Sequence, residues 1–356
     1  MIASPSERVS GDHGTHQSGL PTFSVIIVNY NSGARLAKCL DHLFAQTVQP
    51  VEIIIADNGS SDTSFTDVQE AGLIRKMDLK VNKGFATANN LAALQACGEW
   101  LIFLNPDAYA TPNWLEEITE GIKEYPDADA FGSLQIDDSD PSRLDGAGDV
   151  LSAFGIPFRS HFGAPRLSAP GTYDCFAPCA AACAYRRKVF LSRRGFDERF
   201  FCYGEDVDLG FRLRLAGGRS VQLASAIVHH EGSGVTGRHS DFTIYHGHRN
   251  RIWLFRKNVP LALRLLTLPM RLATDFSLLG RFLLAGHAGP YLKALRDGYL
   301  GPRTDEVSSI PAANSGNPVN DIRPINALEV AALLNWSPID LIRRRITPKI
   351  KRVDVS

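Results

Sequence analysis

From Phe23 onward the chain alternates dense apolar runs with stretches whose apolar residues recur at helical spacing. FSVIIVN, VEIIIAD and WLIFLN have the near-continuous apolar character of strands buried on both faces. Between them, ARLAKCLDHLFAQ sets Leu36, Leu40, Leu43 and Phe44 on one helical face, and FATANNLAALQAC does the same more weakly. Strands separated by helices of this length predict an α/β fold with a mostly parallel central sheet flanked by helices. Such a sheet takes its ligands beyond the carboxyl ends of its strands.

Those ends are polar. The first run leads into Asn29-Tyr30-Asn31-Ser32-Gly33, the second into Asp57-Asn58-Gly59-Ser60-Ser61-Asp62, and the third into Asn105-Pro106-Asp107. Any one of these has the composition of an ordinary turn or helix cap. Three at equivalent strand ends favour a common site. The turns lack both G-x-G-x-x-G and G-x-x-x-x-G-K-[ST], which speaks against a dinucleotide dehydrogenase or a P-loop enzyme. Acids standing where a pyrophosphate would otherwise meet a helix N-terminus point to a divalent cation between protein and phosphate, with Asp107 as a candidate ligand.

Residues 137 to 174 are less regular and rich in Gly and Pro. Beyond them, GFDERFFCYGEDVDLGFRLRLAGG reads as a helix with Glu205, Asp206 and Asp208 at its start. The helix dipole and a pairing with Arg212 account for Asp208. One capping acid would be enough, so Glu205 and Asp206 ask for more. The aromatic run RFFCY ahead of them would desolvate the two carboxyls and raise their pKa, as suits a general base. RSVQLASAIVHHEGSG then reads as a strand closing on His229 and His230, either of them a metal ligand or a satisfied core residue.

With 356 residues and 44% apolar content, the chain can bury one large domain and carry an appendage. Lys+Arg and Asp+Glu both number 38, so no global field draws it to nucleic acid. Residues 1–21 lack the apolar core of a secretory signal and read as a disordered cytoplasmic leader. Of six cysteines, Cys175, Cys179 and Cys183 recur every four residues in an Ala-rich stretch, which reads as close packing rather than a disulfide framework or a zinc site. Residues 256–302 are helical in pattern. Charges at Arg264, Arg271, Asp275 and Arg281 leave no apolar run long enough to span a bilayer. Leucine-rich faces with intervening arginines fit either a helix lying on an anionic membrane surface or packing on the body. Residues 303–356 read as a linker followed by short amphipathic helices, with the same two alternatives.

Taken in order, SVIIVNYNS, ADNGSSD, NKGFATANN, FLNPDA, GFDERFFCYGEDVDLGFR and VHHEGSG resemble the inverting family-2 glycosyltransferases of the GT-A (nucleotide-diphospho-sugar transferase) fold, and among them the bacterial rhamnosyltransferase-like branch. The resemblance spans residues 22–255 and implies a nucleotide-binding half and an acceptor half under one sheet, followed by a C-terminal helical extension. It puts the donor nucleotide sugar among Asn29, Asn31, Asp57, Asn58, Lys83, Gly84, Asn105 and Asp107, with Asp57 on the base and Lys83 and the Gly84 backbone meeting phosphate or sugar. The D-x-D motif falls on Asn105-Pro106-Asp107, the base motif on Glu205-Asp206, and the metal-ligand histidine on His230, with His229 second. Asn90 stands where relatives often carry Arg. At Asn105 an amide replaces a common acid, so the resemblance implies a weakly held Mg²⁺ or Mn²⁺ ion.

By the same resemblance the activity is transfer of L-rhamnose from dTDP-rhamnose to a glycan or polyprenyl-diphosphate-linked acceptor, in cell-envelope polysaccharide synthesis, by a protein that is cytoplasmic or peripheral on the inner face of the cell membrane. Two alternatives stay open: the same fold with a UDP-hexose donor, and a non-catalytic glycan-binding or assembly subunit. A glycosidase would have no use for an acidic nucleotide pocket.

Overall fold

A computed structural model describes residues 19–232, 240–301, 308–311 and 326–344. The leader expected over residues 1–21 lies almost wholly outside the described residues, as do most of the linker and the basic C-terminal end. The strands are β1 (Phe23–Asn29), β2 (Glu52–Asp57), β3 (Ile74–Asp78), β4 (Trp100–Leu104), β5 (Ala108–Ala110), β6 (Ala130–Asp137), β7 (Leu144–Gly146), β8 (Asp149–Leu151), β9 (Pro157–Arg159), β10 (Tyr173–Asp174), β11 (Ala182–Arg186) and β12 (Ser220–His230). The helices are α1 (Ala34–Phe44), α2 (Phe85–Gln95), α3 (Trp114–Glu124), α4 (Arg187–Ser192), α5 (Glu205–Leu215), α6 (Asp241–Asn258), α7 (Leu261–Leu266), α8 (Leu268–Leu284), α9 (Ala288–Leu300), α10 (Ala327–Leu333) and α11 (Pro338–Arg343).

One sheet runs in the order β10-β12-β6-β11-β4-β1-β2-β3. Its β3-β2-β1-β4 half is parallel, as the apolar runs predict. Beyond β4 it is mixed: β11 lies antiparallel between β4 and β6, and β12 runs parallel to β6. Alternation along β1 sends Val25 and Ile27 to one face and Ile26 and Val28 to the other. On the first face they meet Leu36, Leu40 and Leu43 of α1 and Trp114 and Ile118 of α3. Phe44, expected on the same helical face, lies at the end of α1 and is half exposed. On the second face the alanines of α2 pack with Phe103, Phe190, Phe196 and Leu209. Small side chains explain the weak helical pattern of α2: its buried face is alanine and asparagine, which lets the helix lie close to the sheet. Asn90 is fully buried as a brace, its amide bonding the backbone of Phe196 on both sides and the Glu198 carboxylate.

Helix α6 runs unbroken through residue 255, where the sequence divides catalytic domain from extension. Two of the charges that interrupt the tail, Arg271 and Asp275, turn inward. Arg251 of α6 pairs with Asp275 of α8, and Tyr299 of α9 donates to the other Asp275 oxygen at 2.6 Å. The segment holding α10 and α11 docks on the body: Val330, Leu333 and Leu334 join Leu151, Phe211 and Phe255 in one apolar cluster. Its backbone joins the β8 end, Asn335 N–H donating to Leu151 at 2.9 Å and Ala153 N–H to Asn335 at 2.8 Å. Among the described residues no helix is long and apolar enough to cross a membrane.

Candidate active site

The chain leaves β4 at Asn105, turns through Pro106 and re-enters as β5, which pairs antiparallel with the last residues of β12. In that register Ala108 faces His230, so Asp107 arrives beside the imidazole. His230 Nε2 stands 3.4 Å from Asp107 Oδ1, and its Nδ1 is 2.7 Å from Asp145 Oδ2. A carboxylate only accepts, so Asp145 fixes the proton on Nδ1 and turns the Nε2 lone pair toward Asp107. Nε2 is buried and makes no hydrogen bond. Burial alone would lower the His230 pKa, but Asp107 and Asp145 outweigh it and raise the value to about 9, so near neutral pH Nε2 also carries a proton, and its lone pair becomes available only as a cation displaces that proton. Two lone-pair atoms converging in a buried site, with the histidine steered from behind by a carboxylate, have the chemistry of a divalent-cation site. The residues fit the implied cation. His229, one residue back, points to the other side of the strand and lines neither of the cavities below.

This pair opens into a cavity of about 460 Å³ lined also by Tyr30, Asn58, Asn82, Gly84 and Asn105. Gly84 must be glycine: its φ is +87°, and a Cβ there would lie 2.6 Å from the Phe201 ring. Asn58 accepts from Lys83 N–H at 2.8 Å and donates to Asn82 at 3.0 Å, so the amides hold the rim. Lys83 contributes this backbone bond, and its side chain is exposed.

Three of the expected donor contacts sit underneath the cavity instead of lining it. Both Asp57 oxygens are filled: Oδ1 accepts from Asn29 at 2.7 Å and Ser60 Oγ at 2.6 Å, and Oδ2 from the Gly59 and Ser60 amides. Asn29 is buried among Asp57, Ser60 and Ser64. Asn31, at φ 48°, accepts from the amides of Ser61 and Asp62. These side chains tie the β1 and β2 loops together, and the carboxylate expected on the base has no acceptor site left.

A second cavity, of about 600 Å³, lies against the start of α5 and is lined by Asp145, Asp149, Arg159, Cys179, Glu205 and Asp206 among others. Phe85, Asn105, Arg159, Cys202 and Tyr203 line both, so the two spaces meet there. Asp206 is half-buried, and its oxygens accept from the Ala180 amide at 3.0 Å and the Val207 amide at 2.8 Å. Burial raises its pKa, while those amides and Arg159 hold it down. Burial and then the Asp206 charge raise both Asp149 and Glu205 well above the usual carboxylate range. All three are raised, and Asp206, which is held down by Arg159 and alone of them accepts from two backbone amides, is the one most disposed to carry the charge. Asp208 is separate: Lys257, Arg212 and Asn258 overcome its burial and hold it ionised.

Among the described residues Asp149, Cys179 and Asp206 form a group of three ligand residues, two carboxylates and a thiol, with atoms within 4.8 Å of one another. Burial pushes the Cys179 thiol far above its usual range, so it stays protonated, and a hard cation has less to hold there than at Asp107. All six cysteines are free. Asp145, Asp149 and Arg159 are the site residues that sequence reading passes over. The signal was two acids flanking Gly146-Ala147-Gly148, hidden in a span without periodicity.

The chain matches the profile of Glycosyl transferase family 2 over residues 24–192. It is 34% identical over 239 residues to the N-acetylglucosaminyl-diphospho-decaprenol L-rhamnosyltransferase of Mycobacterium tuberculosis, covering 60% of this chain and 77% of that protein. It is 31% identical over 226 residues to the O-antigen biosynthesis protein RfbC of Myxococcus xanthus, covering 60% of this chain and 18% of that protein. The fold is similar to that of S. aureus TarS 1-349 in complex with UDP-GlcNAc, with a TM-score of 0.53, 19% identity and 82% of each chain covered. It is also similar to GalNAc-T7 with UDP, GalNAc and Mn2+, with a TM-score of 0.54, 18% identity and 68% of this chain and 48% of that one covered. The profile, the M. tuberculosis relative and the sheet with its strand-end site agree, and the chain belongs to glycosyltransferase family 2.

Proposed function

We propose that this chain is an inverting glycosyltransferase that moves L-rhamnose from dTDP-rhamnose to a hydroxyl of a glycan or polyprenyl-diphosphate-linked sugar in cell-envelope polysaccharide synthesis. The observation that carries it is the pair of cavities meeting at Asn105 and Arg159, one holding Asp107 and His230 and the other Asp206 beside Glu205 and Asp149. Rhamnose and the lipid-linked acceptor are supported by what the M. tuberculosis relative is named for. Residues 22–255 form the catalytic unit, 256–302 a helical extension and 303–356 its tail. The exposed leucines of that extension support a peripheral site on the inner face of the membrane.

Asp107 and His230 would hold a weakly bound Mg²⁺ or Mn²⁺ ion, whose charge when present offsets that of the departing diphosphate. Asn105 offers an amide oxygen without charge beside them. Asp206 takes the proton of the acceptor hydroxyl as its oxygen bonds to the anomeric carbon from the face opposite the nucleotide. The bond from that carbon to the diphosphate oxygen breaks, the nucleoside diphosphate leaves, and the anomeric configuration inverts. Glu205 and Asp149, buried and raised well above the usual carboxylate range, leave the negative charge to Asp206.

The test is release of nucleoside diphosphate from a panel of nucleotide sugars, with Mg²⁺, with Mn²⁺ and with EDTA. Turnover of dTDP-rhamnose that EDTA abolishes is expected. Turnover of a UDP-hexose alone would replace the donor assignment, and no donor binding at all would favour a glycan-binding subunit. Asp206→Asn should lower kcat by about 10²–10⁴ with donor affinity kept.

A further inference from the structure

The 600 Å³ cavity is polar in two different ways. Its buried wall is acidic, formed by Asp145, Asp149, Glu205 and the half-buried Asp206, while Arg281 and Arg344 line it from exposed positions. Arg344 reaches there because α11 ends in a left-handed residue, φ 51°, whose carbonyl accepts from His161 N–H. Its guanidinium sits 4.8 Å over the Phe162 ring. Although the residue is exposed as a whole, partial desolvation of its guanidinium, and then the charges of Arg159 and Arg281, lower the Arg344 pKa. Among the described residues neither Arg281 nor Arg344 forms an ion pair, whereas Arg159 is paired with Asp145. Like charges gathered at a cavity mouth repel one another until an anion joins them.

We propose that Arg281 and Arg344 form a subsite for a phosphate or diphosphate ester carried by the acceptor, in the cavity that Asp206 also lines. The inference rests on reading this cavity as the acceptor side. A ligand suited to both sets of groups presents a neutral hydroxyl to the acids and an anionic linker to the guanidiniums, which describes a sugar esterified through its anomeric oxygen to phosphate. The aromatic walls, Phe158 and Phe162, suit the sugar between. The C-terminal segment is thereby part of the substrate site: docking Asn335 on β8 brings Arg344 to it.

The full chain is assayed with one sugar in two forms, as a short prenyl diphosphate and as an uncharged alkyl glycoside. The parent should prefer the diphosphate. Arg281→Ala and Arg344→Ala should each lower the ratio of the two kcat/KM values about tenfold, and the double variant about a hundredfold, in line with charge-assisted hydrogen bonds. No preference in the parent, or equal losses on both acceptors, overturns the subsite. Loss of flotation on phosphatidylglycerol vesicles with the ratio intact would assign the arginines to lipid headgroups and likewise overturn it. Should no donor turn over, the enzymatic reading fails and the subsite is read by inorganic pyrophosphate titrated calorimetrically in EDTA. Binding weakened at least tenfold in the double variant supports it, and equal binding in parent and variant refutes it.

Discussion

Asp145 decides what His230 can do. By holding the proton on Nδ1 at 2.7 Å it leaves Nε2 as a ligand atom facing Asp107. Asp145→Asn would let the ring flip or change tautomer without removing either first ligand. The expected outcome is an Mn²⁺ activation constant raised about 10–100-fold, with kcat at saturating Mn²⁺ largely kept. An unchanged constant would mean that Asp145 only neutralises Arg159. That Asp107 and His230 fall at or just beyond strand ends was legible in sequence, because one follows the apolar run of β4 through a proline turn and the other closes β12. Asp145, Asp149 and Arg159 lie on strands of three residues, too short to show a period. Asp57 illustrates the opposite case: its position in a motif was legible, while three of the four hydrogen bonds that fill its oxygens come from the Gly59-Ser60 turn, whose path no spacing reveals, and the fourth from Asn29 of β1.

At the scale of elements, the start of α5 is held in place by α6. Asp208, fully buried, receives Arg212 at 2.8 Å from its own helix and Lys257 at 2.9 Å and Asn258 at 2.8 Å from α6. The i,i+4 pair was legible, and the α6 partners, some fifty residues away, were not. Asp208→Ala would leave Arg212 and Lys257 buried against a vacated carboxylate, and urea unfolding should show a loss of ~3–5 kcal/mol. A loss no larger than that of a surface pair would place the stability of this junction elsewhere.

Helix α6 also carries a titrating group. His248 is wedged against Phe282 and Tyr291, accepts from Arg251 at 3.1 Å, and has its pKa pushed down to about 3 by burial, Arg251 and Arg281. A folded value below the unfolded one, near 6.5, means the unfolded chain takes up the proton first as pH falls. The contribution is therefore whole above pH ~6.5 and fades down to about 3. His248→Gln keeps an acceptor for Arg251 but cannot titrate, so its Tm should fall less steeply than the parent's between pH ~7 and ~4. Parallel slopes would exclude His248 as the source.

Over the whole molecule, the tail takes up one of the two alternatives that its sequence left open, packing on the body through one face, and its other face is free to serve the second. Inward, Arg251, Asp275 and Tyr299 make a polar contact between α6, α8 and α9, so charges that interrupt the apolar pattern become packing elements. Outward, α7 and α8 leave Leu265, Leu266, Leu272, Phe276, Leu283 and Leu284 exposed, Leu284 at 93%. An apolar stripe on an amphipathic helix that also packs inward fits a lipid surface, and exposed Lys293 and Arg296 on neighbouring α9 add attraction to anionic headgroups. The same α8 carries Arg281 to the mouth of the second cavity, so a membrane under this face would put a lipid-linked acceptor within reach of the site. Flotation of the full chain with phosphatidylglycerol vesicles should therefore exceed that with phosphatidylcholine and weaken with salt. Phe276→Glu and Leu284→Glu should each lower the partition about tenfold or more, since each removes one buried apolar side chain worth ~1.5–3 kcal/mol. Flotation unmoved by both substitutions would mean that the stripe faces another protein surface, and the acceptor would then have to reach the cavity without help from these helices.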